Sequence, residues 1–421
     1  MQIKRLTLTQ FRAFEQAEFD FQPGMNLLVG INGVGKSSVL DALRILLSRA
    51  LPRLSASRSK PDSFGVGDIT IGRGALTAEL QFETAGIQFT YLAHLPRERF
   101  IPDSERTGEV REQAIDLIER NELTPDSKDL SKQLKTAAEQ PLVVYFSTRR
   151  SLLSMAEGSK LRSAGGQIVA FADALNYRQL SVREFAEWWL TREALAEEAE
   201  NPLQKRYLSV LAEVAARFLD DCTNLRAERE PVTTLLVDKA GMKLDVRQLS
   251  DGERGILALV LDMARRLAQA NPGLADPLRD SRAVMLIDEL DLHLHPQWQR
   301  TIVDKLTYTF PNCQFIATTH SPQIVGEVPP ESIILLEIGQ PPYRPNHSLG
   351  MDSNWVLRNL MGTPERDPET ELELEHIADL IEDEQYDQAA TEISRLRERI
   401  PDDLELIRLQ TRLDRLQILG K

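Results

Sequence analysis

No run of about 18 apolar residues occurs in the 421-residue chain, so the sequence offers no membrane-spanning helix. Cysteine is nearly absent. Cys222 and Cys313 are too far apart in sequence to suggest a disulfide framework or a cysteine zinc site. The opening MQIKRLTLTQF lacks the apolar stretch of a secretory signal, and the expected compartment is the cytoplasm. Apolar residues nowhere keep a heptad for three or four repeats, which excludes long coiled-coil arms. Positive charge is in deficit too: a formal net charge of −14 argues against coating nucleic acid by bulk attraction. That deficit is uneven. Residues 363–421 carry 17 acidic and 8 basic side chains, a net of −9, which leaves −5 for the rest. The tail should therefore repel DNA, while a local basic groove in the first part keeps DNA open as a partner.

The remaining composition, 42% apolar and 27% charged, is that of a globular protein with room for two or three domains. Its organising stretch is 26-NLLVGINGVGKSSVLDALRIL-46. An apolar strand, Leu27 to Val29, leads into a glycine turn. A helix follows, with Val39, Leu40, Leu43, Leu46 and Leu47 at helical spacing. The turn spells G-x-x-x-x-G-K-S from Gly30 to Ser37. Backbone N–H groups freed by Gly33 and Gly35 can curl round a β-phosphate at the positive end of the helix dipole. Lys36 would reach the β- and γ-phosphates, and the Ser37 hydroxyl would ligate Mg²⁺. Asn32 and Ser38 belong to the same loop. The predicted ligands are ATP and Mg²⁺.

Three further motifs bear on that site. In 284-VMLIDELDLHLHP-296 a buried strand ends at Asp288 and Glu289. Asp288 is placed to hold Mg²⁺ through water together with Ser37, and Glu289 to take a proton from attacking water. In 248-QLSDGERGILALVLDMARRLAQ-269, Ser250 and the Gly252 N–H stand at the start of an amphipathic helix, a second anion site. A protomer with one complete phosphate loop has no use of its own for that site, whereas the γ-phosphate of a partner protomer supplies one. Finally 315-FIATTHSPQIV-325 is a strand that ends in His320, which could hydrogen-bond the γ-phosphate. His293, His295 and His320 lack the partners of a zinc site.

Elsewhere, residues 2–21 read as two strands, and 75–83 and 87–95 as two more, making an antiparallel sheet beside the nucleotide-binding strand. The polar stretch from Pro96 to Gln140 reads as a loop with a helical patch at 114–118. Strand 142–146 runs into Arg149 and Arg150, expected to line a DNA-facing or γ-phosphate-facing surface. A helical region then extends to about Asp221, with Trp188 and Trp189 packing between helices. Strands resume at 232–238, 242–246 and 332–338. The tail from residue 371 has helical periodicity, broken at Pro401, and suits a helical hairpin or three-helix array. Its apolar face includes Leu374, Ile377, Leu380, Ile381, Ala389, Ile393, Leu396, Leu404, Ile407 and Leu416. Too few residues lie behind that face for a self-sufficient core, so it is expected to dock on a partner or on another part of the chain. The expected boundaries are an N-terminal lobe 1–147, a helical insertion 148–230, a C-terminal lobe 231–345, a linker 346–368 and the tail 369–421.

The order GINGVGKS, LSDGER, LIDELDLHLHP, TTHSP resembles the ABC-type ATPase heads of the RecF, SMC and OLD proteins, as does Q-F-R-x-F at Gln10–Phe14. RRS at Arg149–Ser151, FAEWWLTRE at Phe185–Glu193, HLHPQWQ at His293–Gln299 and GMDSN at Gly350–Asn354 look like the short PtuA-like ATPases of Septu and retron anti-phage systems. The resemblance implies an α/β P-loop head: a parallel core sheet plus an antiparallel subdomain, with a helical insertion and a small all-helical C-terminal domain. It implies a homodimer or higher homo-oligomer in which each ATP lies between one Gly30–Ser37 loop and the partner's Ser250–Gly252 motif. Asp291 would be at the dimer seam. It further implies a separate HNH-type nuclease subunit as partner, this chain having no room for a nuclease domain. A RecF- or SMC-like DNA repair or recombination clamp is the alternative. Asp251 departs from the glycine usual in the signature, and the Mg²⁺-contacting glutamine has two candidate places, Gln167 and the loop after Phe146.

Overall fold

The computed structural model describes residues 1–97, 120–124, 128–137, 139–148, 150, 152–153, 167–176, 180–198, 202–364 and 366–419. Two compact units divide the chain, Met1–Val356 and Leu357–Lys421.

The first unit is built on two five-stranded sheets. Strands β1 (Gln2–Phe11), β2 (Phe14–Asp20), β4 (Ala75–Thr84), β5 (Ile87–Pro96) and β6 (Arg120–Thr124) form an antiparallel sheet in the order β2-β1-β4-β5-β6. Alternation along β4 buries Leu76, Ala78, Leu80 and Phe82 on one face, as the two-residue strand period requires. The core sheet is parallel and ordered β15-β3-β14-β13-β7. Its strands are β3 (Met25–Val29), β7 (Leu142–Phe146), β13 (Ala283–Ile287), β14 (Gln314–Thr318) and β15 (Ile333–Leu335). Each is buried along its whole length, hence the unbroken apolar runs. Helix α1 (Lys36–Leu54) joins the sheets: Val39, Leu43, Leu46 and Leu47 share one apolar cluster with Leu6, Leu80 and Tyr91 of the antiparallel sheet and Leu28, Leu286 and Ile316 of the core sheet. Gln314 adds a polar tie between the two, accepting from Ile3 N (2.7 Å) and donating to Ile3 O (2.8 Å). Because the core sheet draws strands from both ends of the unit, 1–147 and 231–345 interleave.

Several elements depart from the sequence reading. The stretch 96–140 is not all loop: β6 extends the antiparallel sheet through β5, and α2 (Lys128–Thr136) follows. The helical patch expected at 114–118 lies outside the described residues. Residues 148–230 are not all helical. They contain a two-stranded parallel pair, β8 (Leu152–Leu153) and β9 (Leu180–Ser181), helices α3 (Val182–Glu198) and α4 (Pro202–Phe218), and strand β10 (Cys222–Glu228). Alternating burial of Cys222, Leu225 and Ala227 across a bulge hides β10 from a simple periodicity count. With β11 (Thr234–Lys239) and β12 (Met242–Asp245) it forms a third, antiparallel sheet. Trp188 and Trp189 are buried, with Trp188 5.3 Å from the Phe185 ring. Helix α5 (Asp251–Ala270) carries the signature motif, and α6 (Pro296–Thr309) follows the HLHP run. The segment 346–368 is no bare linker, since α7 (Ser353–Leu360) occupies part of it and the unit boundary falls inside that helix.

The second unit contains α8 (Pro368–Glu382), α9 (Tyr386–Arg399) and α10 (Leu404–Leu419). Ten residues, among them Leu374, Ile377, Ile393, Leu406, Leu409 and Leu413, form its own core, which corrects the expectation that the tail has nothing to bury its apolar face against. The α10 face is also corrected. Leu404 and Ile407 are 72% and 43% exposed, whereas Leu406, Leu409 and Leu413 point inward. Leu406, Leu409 and Leu413 recur at helical spacing on one face and pack into that core, while Asp403 caps the helix start by accepting from Glu405 N and Leu406 N.

Candidate functional site

Strand β3 ends at Val29, and the chain turns through Gly30, Gly33 and Gly35 before α1 begins at Lys36. At Gly35 φ is 109°, and a Cβ there would lie 2.5 Å from the Phe14 ring, so no other residue fits. Gly35 caps α1 without any side chain, leaving the first-turn N–H groups to whatever the loop binds. Lys36 folds back over the loop and donates to the carbonyls of Gly30 and Ile31, both at 2.8 Å. Burial pulls its ammonium down to about 8, against the opposing pull of Asp288, Glu289 and Asp291. Asn32 and Ser37 are exposed on the same loop. Ser38 accepts from Arg12 at 3.2 Å, and Arg12 also binds Asp41 and Asp68, both at 2.9 Å.

Parallel pairing of β13 with β14 and β7 brings Asp288 to the phosphate loop. The Ser37 hydroxyl donates to Asp288 Oδ1 at 3.0 Å, and Thr318 donates to the same oxygen at 2.8 Å. Asp288 is buried, so a carboxylate shares a low-dielectric corner with two hydroxyls and the Lys36 ammonium. These oxygens are the hard donors that Mg²⁺ takes, and the residues fit that ion. Among the described residues no group of three or more histidine, cysteine or carboxylate side chains could hold a metal, and the three histidines do not converge.

Glu289, partly exposed, has φ 50°, and its N–H is held by Thr318 Oγ1 at 2.7 Å. Asp291 turns back onto its own chain, accepting from Thr319 Oγ1 at 2.6 Å and His320 N at 3.1 Å. Burial and then Lys36 hold His320 below its ordinary value, so at neutral pH its imidazole is uncharged. Arg150 is not on a DNA-facing surface. It is 8% exposed and donates to the carbonyls of Asp288 and Glu289. Arg149 lies outside the described residues.

The second helix start is built differently. Ser250 caps α5 in a reciprocal box with Glu253, whose carboxylate accepts from Ser250 N at 2.9 Å and Ser250 Oγ at 2.8 Å. Burial alone would raise the Glu253 carboxyl, but Lys239 and Ser250 hold it below the usual value. Gly252 is buried, and a Cβ on it would lie 2.3 Å from the His293 carbonyl oxygen. Close packing on the HLHP turn thus accounts for this glycine within the protomer. None of the hydrogen bonds of Ser250 reaches the Gly30–Ser37 loop.

Of the two places considered for a Mg²⁺-contacting glutamine, Gln167 donates to Ala270 O at 2.9 Å, whereas the loop after Phe146 reaches the backbone of Asp288 and Glu289 but holds no glutamine between 147 and 150. That loop brings Arg150 to the site. Thr318 is absent from the sequence reading, and so is the bonding of Arg150 to the Asp288 and Glu289 carbonyls. Thr318 sits two residues before His320, at the β14 position facing Asp288, and a parallel-neighbour argument could have found it.

The family model described as "AAA domain, putative AbiEii toxin, Type IV TA system" matches residues 25–326. Over 99% of this chain and 87% of the relative, the sequence is 29% identical to the retron Ec83 probable ATPase of Escherichia coli. The Septu protein PtuA of Bacillus thuringiensis is 24% identical over 80% of this chain and 76% of that protein. A solved SMC head bound to the C-terminal winged-helix domain of ScpA aligns with TM-score 0.49 and 16% identity, covering 83% of this chain and 98% of that one.

Proposed function

Because this chain belongs to that AAA-domain family, we propose that it binds MgATP and hydrolyses it, as the ATPase subunit of a retron- or Septu-type anti-phage system. The observation that carries this reading is the junction at which Ser37 and Asp288 meet at 3.0 Å in front of an uncapped helix start. The first-turn N–H groups and Lys36 take the phosphates, Lys36 exchanging its carbonyl partners for phosphate oxygens. Ser37 and Asp288 are the residues that would hold Mg²⁺, which when bound would supply charge neutralisation of the transferring group. Glu289 accepts the proton of the water that attacks the γ-phosphorus as the bond to the ADP oxygen breaks. Neutral His320 donates a hydrogen bond to the γ-phosphate and, through Asp291, senses its loss.

In this reading two copies form an ATP sandwich, with Ser250 and the start of α5 from one copy facing the γ-phosphate of the other, and Asp291 near the seam. The ATP cycle then governs a separate HNH-type nuclease subunit, and DNA enters through that complex. Phosphate release from MgATP by the full chain tests the chemistry. Glu289→Gln is expected to keep ATP bound while slowing turnover by ~10² or more, and to accumulate an ATP-bound dimer. Wild-type turnover in that variant would remove Glu289 from the mechanism.

A further inference from the structure

Among the described residues Arg150 has no hydrogen bond to the Gly30–Ser37 loop, yet it grips the backbone that carries Asp288 and Glu289. The guanidinium donates from one nitrogen to Asp288 O and from the other to Glu289 O, and the first also reaches Ser147 O at 3.5 Å. Its hydrogen bonds among the described residues all go to backbone carbonyls. Burial draws Arg150 down to about 10, against Asp291, Asp288 and Glu289, which favour its charge, so the fork remains protonated at neutral pH. A planar fork on two successive carbonyls fixes the peptide planes on both sides of Glu289. The N–H groups are tied as well, Asp288 N to Phe146 O at 2.8 Å and Glu289 N to Thr318 Oγ1 at 2.7 Å. Every peptide group around Glu289 is thereby held while its backbone stays at φ 50°, a region that a non-glycine residue keeps only when its surroundings impose it.

We propose that Arg150 is a positioning residue for water activation: its guanidinium fork sets the left-handed turn at Glu289 and so aims the carboxylate. The proposal rests on the reading that Glu289 activates water. An arginine suits this role better than a lysine, since its planar fork holds two donors in a fixed geometry whereas the donors of an ammonium rotate about a flexible stem.

Small cavities flank the side chain, one of about 30 Å³ lined by Tyr145, Asp173, Asp262 and Arg266, and one of about 10 Å³ lined by Leu259, Leu290 and Ile302. Truncating Arg150 would join them into a space that a free guanidinium ion can enter. The test uses the full chain and its Arg150→Ala and Arg150→Lys variants, measuring ATP affinity, kcat, KM and melting temperature. Expected are near-wild-type ATP affinity and KM in both, with kcat lowered ~10²-fold in Arg150→Ala and at least ~10-fold in Arg150→Lys, as a displaced catalytic group predicts. Guanidinium chloride at ~50 mM, below denaturing concentrations, should restore part of the Arg150→Ala rate and leave Glu289→Gln unaffected. Wild-type kcat in Arg150→Lys would overturn the proposal. So would an Arg150→Ala chain that loses ATP affinity together with turnover and is not rescued. A wild-type chain that fails to hydrolyse ATP sinks the functional reading itself; an active wild type, a dead Glu289→Gln and an unaffected Arg150→Lys sink only this inference.

Discussion

Two helices of this protein begin at sequences suited to anions, and their first turns are in opposite states. Helix α1 starts behind Gly35 with no side-chain cap, and the ammonium that would meet a phosphate is parked on the carbonyls of its own loop. Helix α5 starts behind Ser250 with its cap satisfied reciprocally by Glu253, which Lys239 neutralises in turn. One end is ready for a ligand and the other is closed on itself. Both motifs satisfy the same sequence rule for an anion site, so the rule identifies where an anion can bind but not whether the protomer already uses those donors. In the proposed ATP sandwich the capped end would have to give up these internal bonds before it could serve a partner's phosphate, and that cost would fall on assembly.

Substitutions should separate the two ends. The largest effect is expected at the open one. Lys36→Ala removes the cation that donates to the Gly30 and Ile31 carbonyls, and ATP affinity should fall by ~10²-fold or more, as loss of a charge-assisted phosphate contact implies; calorimetric titration reads this. At the closed end, Gly252→Ala drives a methyl into the His293 carbonyl. It should cost about 1–3 kcal/mol of stability by overpacking while ATP binding by one protomer is unchanged, which denaturant unfolding and the same titration distinguish. Ser250→Ala is milder, about 1 kcal/mol from the lost cap. In a dimerisation assay with the Glu289→Gln chain, that variant should weaken assembly although it leaves the open end intact.

The smallest effect is in protons. A lysine whose folded value is lowered from 10.5 to about 8 carries fewer protons than the unfolded chain between those values. The ligand-free protein should accordingly gain stability from this group as pH rises through that window. Phosphate restores the charge, so ATP binding near pH 8 should take up a fraction of a proton. Titrations in buffers of different ionisation enthalpy measure that uptake, and an Ala at position 36 should abolish it.

Much of this site is legible from strand ends. Val29, Ile287 and Thr318 terminate buried apolar runs, and polar residues that follow such runs collect at one edge of a parallel sheet. Order and composition alone therefore place Ser37, Asp288, Glu289 and His320 at that edge. Arg150 is named by the sequence as well but its partners are not, because it lies beyond a strand whose neighbour, β13, is distant in sequence; only the pairing of β7 with β13 carries it to Glu289. A bulge breaks the alternation of strand β10 and hides it, and α10 offers two apolar faces, Leu404 with Ile407 and Leu406 with Leu409 and Leu413, of which the packed core takes the second. The tail was misjudged for a different reason. A face count sees each helix alone, whereas three short helices closing on Ile377, Ile393 and Leu409 make a small core together.

The backbone at Glu289 also bears on how this protein could lose its activity. A left-handed residue other than glycine costs about 1 kcal/mol, so if Glu289 activates water as proposed, conformational preference at this position opposes the chemistry. Exchange for glycine would remove the carboxylate and relieve the turn in one step, and the genetic code allows it by a single base change. Descendants freed from the need to hydrolyse ATP should drift toward glycine or asparagine at 289, while those that still turn over keep glutamate despite its poorer fit. A survey of natural variants at this codon would then separate working motors from silent ones without an assay.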